Sequence, residues 1–215
     1  MLPEKNPAAN PDSSSIERIL ATAETLFGEI GFDATSMSAI AAHAGVSKAN
    51  IFHHFKSKQE LYQAVLANAC KEARERIDRL EQTEGKFVDQ LEQFVASHLQ
   101  GILEHSNLTR LVLRDLLENG EQRGKKLAEQ AFGPNFTKLV DILHHGQTRD
   151  ELRSDVDPAM VALMLIAANV YYFHSGPMLR HFTEVDFADD PKIYSKKLVQ
   201  LMLHGILPPS QDQTK

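Results

Sequence analysis

The sequence predicts an all-α protein, with a small helical bundle at its N-terminal end and a larger helical domain behind it. Apolar residues recur at three- and four-residue steps along most of the chain, and no convincing apolar/polar alternation marks a strand. Glycine, proline and capping residues punctuate those stripes, cutting them into about nine helices. The chain has 215 residues, 42% hydrophobic and 24% charged, enough to bury a core without disulfides or metals. Its one cysteine, Cys70, excludes an internal disulfide framework and points to a reducing compartment, the cytoplasm. The first seven residues lack a basic stretch followed by an apolar one, so no signal peptide is expected.

Residues 1–14 are rich in Pro, Asn and Ser without apolar periodicity and read as a mobile arm; 208–215 read as a matching tail. The first helix carries Ile16, Ile19, Leu20, Ala23, Leu26, Phe27 and Ile30 on one stripe, with Ser13 to Ser15 as candidate N-caps and Gly31 as C-cap. Two short helices follow, near 37–44 and 47–53, split by Ala44-Gly45-Val46. A long helix from Lys58 presents Leu61, Val65, Leu66, Ala69, Ala73, Ile77 and Leu80. Thr83-Glu84-Gly85 breaks it. Phe87 to Ile102 mark the fifth helix and Leu108–Leu117 a shorter sixth, closed by the loop signal Asn119-Gly120. Another helix runs from Arg123 to His144, with a kink expected at Gly133-Pro134. Asp157-Pro158 starts the eighth, and the last covers Pro191 to Gly205.

The segment 35–61, TSMSAIAAHAGVSKANIFHHFKSKQEL, has a mechanism written into it. Ser36, or Thr35, can cap a helix whose Ile40, Ala41 and Ala44 face inward, and small alanines let a second helix come close. Gly45 tolerates the positive φ of a sharp turn, Val46 plugs the angle, and Ser47 caps the next helix. Ile51 and Phe55 return to the core, leaving Lys48, Ala49, Asn50, His53 and His54 outside. This is a helix-turn-helix arrangement, whose second helix offers base contacts in the major groove. Net charge is −6, which taken alone favours no anionic partner. The local charge says otherwise. Val46 to Gln59 hold three Lys and two His and no acid, whereas residues 1–45 hold two basic residues against six acidic ones. A local cationic patch governs phosphate binding more than the total does.

Together, Phe27, Gly31-Phe32, Thr35-Ser36, Ile40-Ala41, Ala44-Gly45-Val46-Ser47 and Phe52-x-His54-Phe55 with Lys58 and Leu61 resemble the TetR family of bacterial transcriptional regulators. The resemblance covers residues 15–65 by motif. It implies phosphate contacts from Ser47, His54 and Lys58 and from the Thr35-Ser36 helix start, and base contacts from Lys48, Ala49 and Asn50. Lys donates to guanine acceptors, Asn pairs two ways with adenine, and Ala touches a thymine methyl. Ser38 holds a position that often reads a base, and His53 can reach backbone or base. The family usually has Tyr where this chain has Phe52, so only a stacking or van der Waals role transfers there.

The rest of the chain must bury its own apolar faces. Met160 to Phe173 are apolar in all but Asn169; the run is too short to span a bilayer, so protein must cover it on every side and no membrane is expected. One side can pack within the subunit and the other on a second copy, giving a four-helix bundle with the last helix across a two-fold axis. The family resemblance implies the same homodimer, which matches a palindromic double-stranded operator. His98, Arg114, His144, Asn169, Tyr172, Phe173, His174 and Met178 interrupt otherwise buried faces. They either line a cavity for a small-molecule effector among helices five to eight, or are paired core groups and surface residues. Asn169 is the strongest of them.

These readings divide the chain into 1–14, 15–60 (DNA-binding), 61–207 (ligand-binding and dimerisation) and 208–215. No HExxH occurs, and the pairs His53-His54 and His144-His145 are adjacent rather than one turn apart, so neither metal nor cofactor is expected. An all-helical enzyme lacks a nucleophile–base set at recognisable spacing. The expected function is a ligand-responsive regulator, most simply a repressor, with control by a protein partner or by oxidation of Cys70 as the alternative.

Overall fold

The computed structural model of the chain describes residues 11–82 and 86–204. Among these residues there are nine α-helices and no strand: α1 (Pro11–Ile30), α2 (Met37–Ala44), α3 (Lys48–His54), α4 (Lys58–Gln82), α5 (Phe87–Glu104), α6 (Ser106–Leu127), α7 (Gly133–Thr148), α8 (Pro158–Leu179) and α9 (Pro191–His204). A π-helical turn, Ala128–Phe132, joins α6 to α7.

Packing groups the helices into two compact units. One takes the chain as far as Glu72 together with His105–Gly133; the other takes Ala73–Glu104 and the chain from Pro134. The line therefore falls inside α4 rather than at residue 60, and α6 joins the N-terminal unit despite its place in the sequence. In that unit Ile19, Ala23 and Phe27 of α1 meet Ile40, Ala41, Ile51, Leu61, Tyr62 and Val65, and α6 adds Leu108 and Leu111. Phe27, Phe32 and Tyr62 form an aromatic triad with centroids 5.3–5.8 Å apart. Gly28 lets α6 lie directly on α1, because a Cβ there would come 2.3 Å from Asn107 Cβ. Tyr62 Oη donates to Asp115 at 3.2 Å, and His105 stands with Nδ1 and Nε2 each 2.9 Å from a carboxylate oxygen, of Glu24 and Glu72 respectively.

The C-terminal unit is built on Phe87, Leu91, Phe94 and Val95 of α5, Leu139 and Leu143 of α7, Ala162 and Leu165 of α8, and Val199 of α9. Leu99, Tyr172 and Tyr194 make a second cluster. Asp157 caps α8 as expected, accepting from Ala159 N at 2.8 Å with Pro158 in the first turn.

Three expectations are corrected. The arm does not reach residue 14, since Pro11–Ser14 already belong to the first turn of α1, where a proline gives up no helical hydrogen bond. The break expected at Asn119-Gly120 is there: the helical stretch Ser106–Leu127 is kinked into two pieces at Gly120, whose φ of 44° and ψ of −125° are non-helical. Instead of a proline kink at Gly133-Pro134, the chain makes the π-turn before them. Finally, α8 has 22 residues and is long and apolar enough to cross a membrane by length and composition, so its shortness is no argument. Its inner face, Ala162, Leu165, Asn169, Tyr172, Ser175 and Gly176, is buried within its own unit. Residues 1–10, Thr83–Gly85, Gly205 and the 208–215 tail lie outside the described residues.

Candidate nucleic-acid interface

Capping positions α2 and α3. Ser36 Oγ accepts from Ala39 N at 3.0 Å and Ser47 Oγ from Asn50 N at 3.0 Å, each satisfying an amide at its helix start. Between them Gly45 sits at φ 65°, ψ 35°, while Val46 N donates to Ala41 O at 3.0 Å. That left-handed residue turns the chain in one step. The next helix starts at Lys58 as expected, and its cap, which went unread in the sequence, is a capping pair of Ser57 and Glu60. Glu60 N donates to Ser57 Oγ at 3.1 Å, and the Glu60 carboxylate accepts from Lys56 N at 2.8 Å.

The outer face carries the expected residues. Ser36, Ser38, Ser47, Lys48, Ala49, Phe52 and His53 are exposed; Phe52 is 43% exposed, with Lys48 Nζ 5.8 Å from its ring centroid. His54 is half-buried and packs edge-on to His53, centroids 5.0 Å apart. Asn50 is half-buried too, and its Oδ1 is covered by protein, so pairing two ways with adenine requires the side chain to turn.

Two residues play a different part from the one the motif implied. Thr35 is buried, with Oγ1 2.7 Å from Gly31 O and 3.2 Å from Leu26 O; it straps the α1–α2 turn from inside and has no hydroxyl to offer a phosphate. Lys58 sends its ammonium to the same turn. Nζ lies 2.7 Å from Phe32 O, 3.0 Å from Thr35 O and 3.2 Å from Asp33 O, and 4.4 Å from the Phe32 ring centroid. An ammonium has three donors, and three carbonyls take them.

The expected effector residues divide. His98 and Asn169 meet, Asn169 Nδ2 lying 3.0 Å from His98 Nδ1. Tyr172 is buried beside Tyr194, its hydroxyl within reach of Phe187 O (3.0 Å) and Ala188 O (2.8 Å), and Phe173 is half-buried. His144, His174 and Met178 are exposed, and Arg114 belongs to the N-terminal unit, exposed beside Gly31; helical spacing alone could not separate surface from interior on these faces. Cys70 is half-buried, and burial pushes its thiol up to about 11, which keeps it protonated and unreactive.

A capped helix-turn-helix with a cationic, acid-free outer face, backed by an all-α second unit, defines a helical DNA-binding regulator. Residues 19–65 match the family model of bacterial regulatory proteins of the TetR family, and 88–197 match the tetracyclin repressor-like C-terminal domain. The chain belongs to the TetR family. It is 27% identical over 160 residues to the HTH-type transcriptional repressor KstR2 of Mycolicibacterium smegmatis, covering 69% of this chain and 73% of that one. It is 28% identical to the HTH-type transcriptional regulator UidR of Escherichia coli, covering 69% and 74%. Among solved structures, a putative fatty acid metabolism regulator of Clostridium perfringens superposes with a TM-score of 0.74 at 18% identity, covering 89% of this chain and 99% of that one. FadR of Bacillus subtilis, solved with stearoyl-CoA, superposes at 0.72 and 19% identity with the same coverage.

Proposed function

We propose that the protein is a homodimeric, ligand-responsive transcriptional repressor of the cytoplasm that binds a palindromic DNA operator and lets go when a small molecule enters its C-terminal unit. The observation that carries the reading is the face of α3, where Ser47, Lys48, Ala49 and His53 stand exposed without an acidic neighbour on the helix. Ser36, Ser47 and His54 serve the phosphates, and Ser38, Lys48 and Ala49 the bases, with Phe52 packing against the sugar–phosphate edge.

Dimerisation is supported by what α8 and α9 leave uncovered. Met160, Leu163, Met164, Tyr171 and Met178 on α8, with Ile193 and Leu201 on α9, are all more than 40% exposed. An apolar strip of this length suits a second copy, which would complete a four-helix bundle and present two recognition helices to half-sites about one helical turn apart. The chain passes between the units at 72/73, 104/105 and 133/134, so an effector has covalent routes to the DNA-binding helices. A coupling of about 1–3 kcal/mol, roughly 5–150-fold in operator affinity, is the expected scale.

The test is selection of duplexes from a random pool, followed by anisotropy measurements at several salt concentrations. A palindromic consensus bound by a dimer, and weakened by Lys48→Ala, is the expected result. Failure to select any duplex at low salt would overturn the reading.

A further inference from the structure

Inside the C-terminal unit the hydrogen bonds of one buried amide can be assigned atom by atom. Asn169 has no exposed surface. Its Nδ2 lies 3.0 Å from Val95 O and 3.0 Å from His98 Nδ1. A carbonyl oxygen only accepts, so the group facing Val95 must be the NH2 end, which fixes the amide's orientation. The second N–H then donates to His98 Nδ1, and the imidazole proton stands on Nε2. Both amide hydrogens are thereby used, while Oδ1 is buried and meets no donor among the described residues. An acceptor in that condition is costly, because it has given up water for nothing.

The charge that acts on His98 is answered. His98 is neutral at pH 7: burial first, and the positive charge of Arg76 second, hold its pKa down at about 4. Its ring lies nearly parallel to Phe94, centroids 5.6 Å apart. Arg76 is itself answered by Glu104, 2.6 Å away, whose other oxygen accepts from Gln100 at 2.8 Å. One turn further along α8, Tyr172 stacks on Tyr194 with centroids 4.1 Å apart, and Tyr194 Oη is a second buried polar atom that meets no partner. Phe94 and Leu99 of α5 and Leu165 of α8 are buried apolar residues of the same unit.

We infer that the α5–α8 pair around Asn169 is the head-group seat of the effector site, and that it takes an uncharged group bearing a hydrogen-bond donor, an alcohol or an amide, on Asn169 Oδ1. The inference rests on the effector reading for its regulatory meaning, while its chemistry rests on the amide alone. A carboxylate would bring a second oxygen lone pair against Oδ1 with no spare cation to offset it. An ammonium would donate, but beside Arg76 and out of water. An ether would leave Oδ1 as it is.

The experiment is calorimetry on the full-length protein at pH 7 with probes that differ only in the head-group: 1-octanol, octanamide, octylamine, octyl methyl ether and octanoate, and the matching phenylethyl set. The alcohol and amide are expected to bind at least tenfold more tightly than the other three in one or both sets, because a site with a buried acceptor rejects the analogue that cannot donate. Asn169→Leu is expected to bring the alcohol-to-ether ratio to about one with ether binding retained. Should that variant fail to fold, the ranking on the unaltered protein decides. Ether or octanoate binding as tightly as the alcohol, or no probe of either set binding at millimolar concentration, overturns the inference. Alcohol or amide binding with the expected preference, but without release of operator DNA, leaves the head-group assignment standing and removes the effector reading instead.

Discussion

Between Leu26 and Glu60 several polar groups find their partners within the same stretch of chain. Ser36 and Ser47 cap amides three residues on, Thr35 reaches back to Gly31 and Leu26, and Lys58 spends its donors on the turn beneath it. Across α5, α8 and α9 the bonds are long in sequence and left open: Asn169 reaches Val95 and His98, its oxygen stays unmatched, and the outer strip of α8 stays bare. The first region is tied together by its own bonds before any partner arrives, as a surface that must match a preformed duplex should be. The second is finished by what docks on it.

That contrast is broken most severely at the bare strip. Leu163→Glu is expected to yield a monomer by light scattering and to weaken operator binding on the order of 100-fold or more, because a buried carboxylate at the centre of an apolar contact has no partner. The clamp at His105 comes next. Its hydrogen bond to Glu24 first, with that to Glu72, raises its pKa from 6.5 to about 9 against the opposing effect of burial. The folded-state value lies above the unfolded one, so the clamp's contribution is fully present below pH 6.5 and is lost as pH rises through about 9. With the imidazole partly exposed, about 2 kcal/mol is the expected scale, and His105→Gln should flatten the decline of thermal stability over that interval.

The assignments of the two lysines give the third test. Lys48→Ala is expected to cost about tenfold in operator affinity and to relax base preference at one position of each half-site, whereas Lys58→Met should lower the melting temperature with the salt slope unchanged. A salt slope reduced by about one in Lys58→Met would return Lys58 to the phosphates. Gly45→Ala is the mildest. Nothing lies within 4 Å of a Cβ there, so only the positive φ resists it, at about 1 kcal/mol in chemical denaturation.

How much of this was legible follows the same divide. The helix-turn-helix could be read from caps and one glycine because its causes sit within four residues of their effects. Thr35 and Lys58 were legible as important but not as internal, since the acceptors of the Lys58 ammonium are backbone carbonyls 23–26 residues away and carbonyls have no letter in a sequence. Asn169 stood out as an amide in an apolar run. Its partners, 71 and 74 residues distant, did not. Periodicity likewise placed His144, His174 and Met178 on a helix face without saying whether that face turns in or out.

The placement of α6 has a consequence for modularity. The N-terminal unit is assembled from two stretches of chain separated by α5, and α6 seals α1 through the Gly28–Asn107 approach and the buried Leu108 and Leu111. A fragment ending at Glu72 would carry every letter of the recognition motif and still lack one wall of its house. The motif in this protein is therefore not a cassette that can be lifted out and grafted elsewhere; whatever is transplanted must bring residues 105–133 with it.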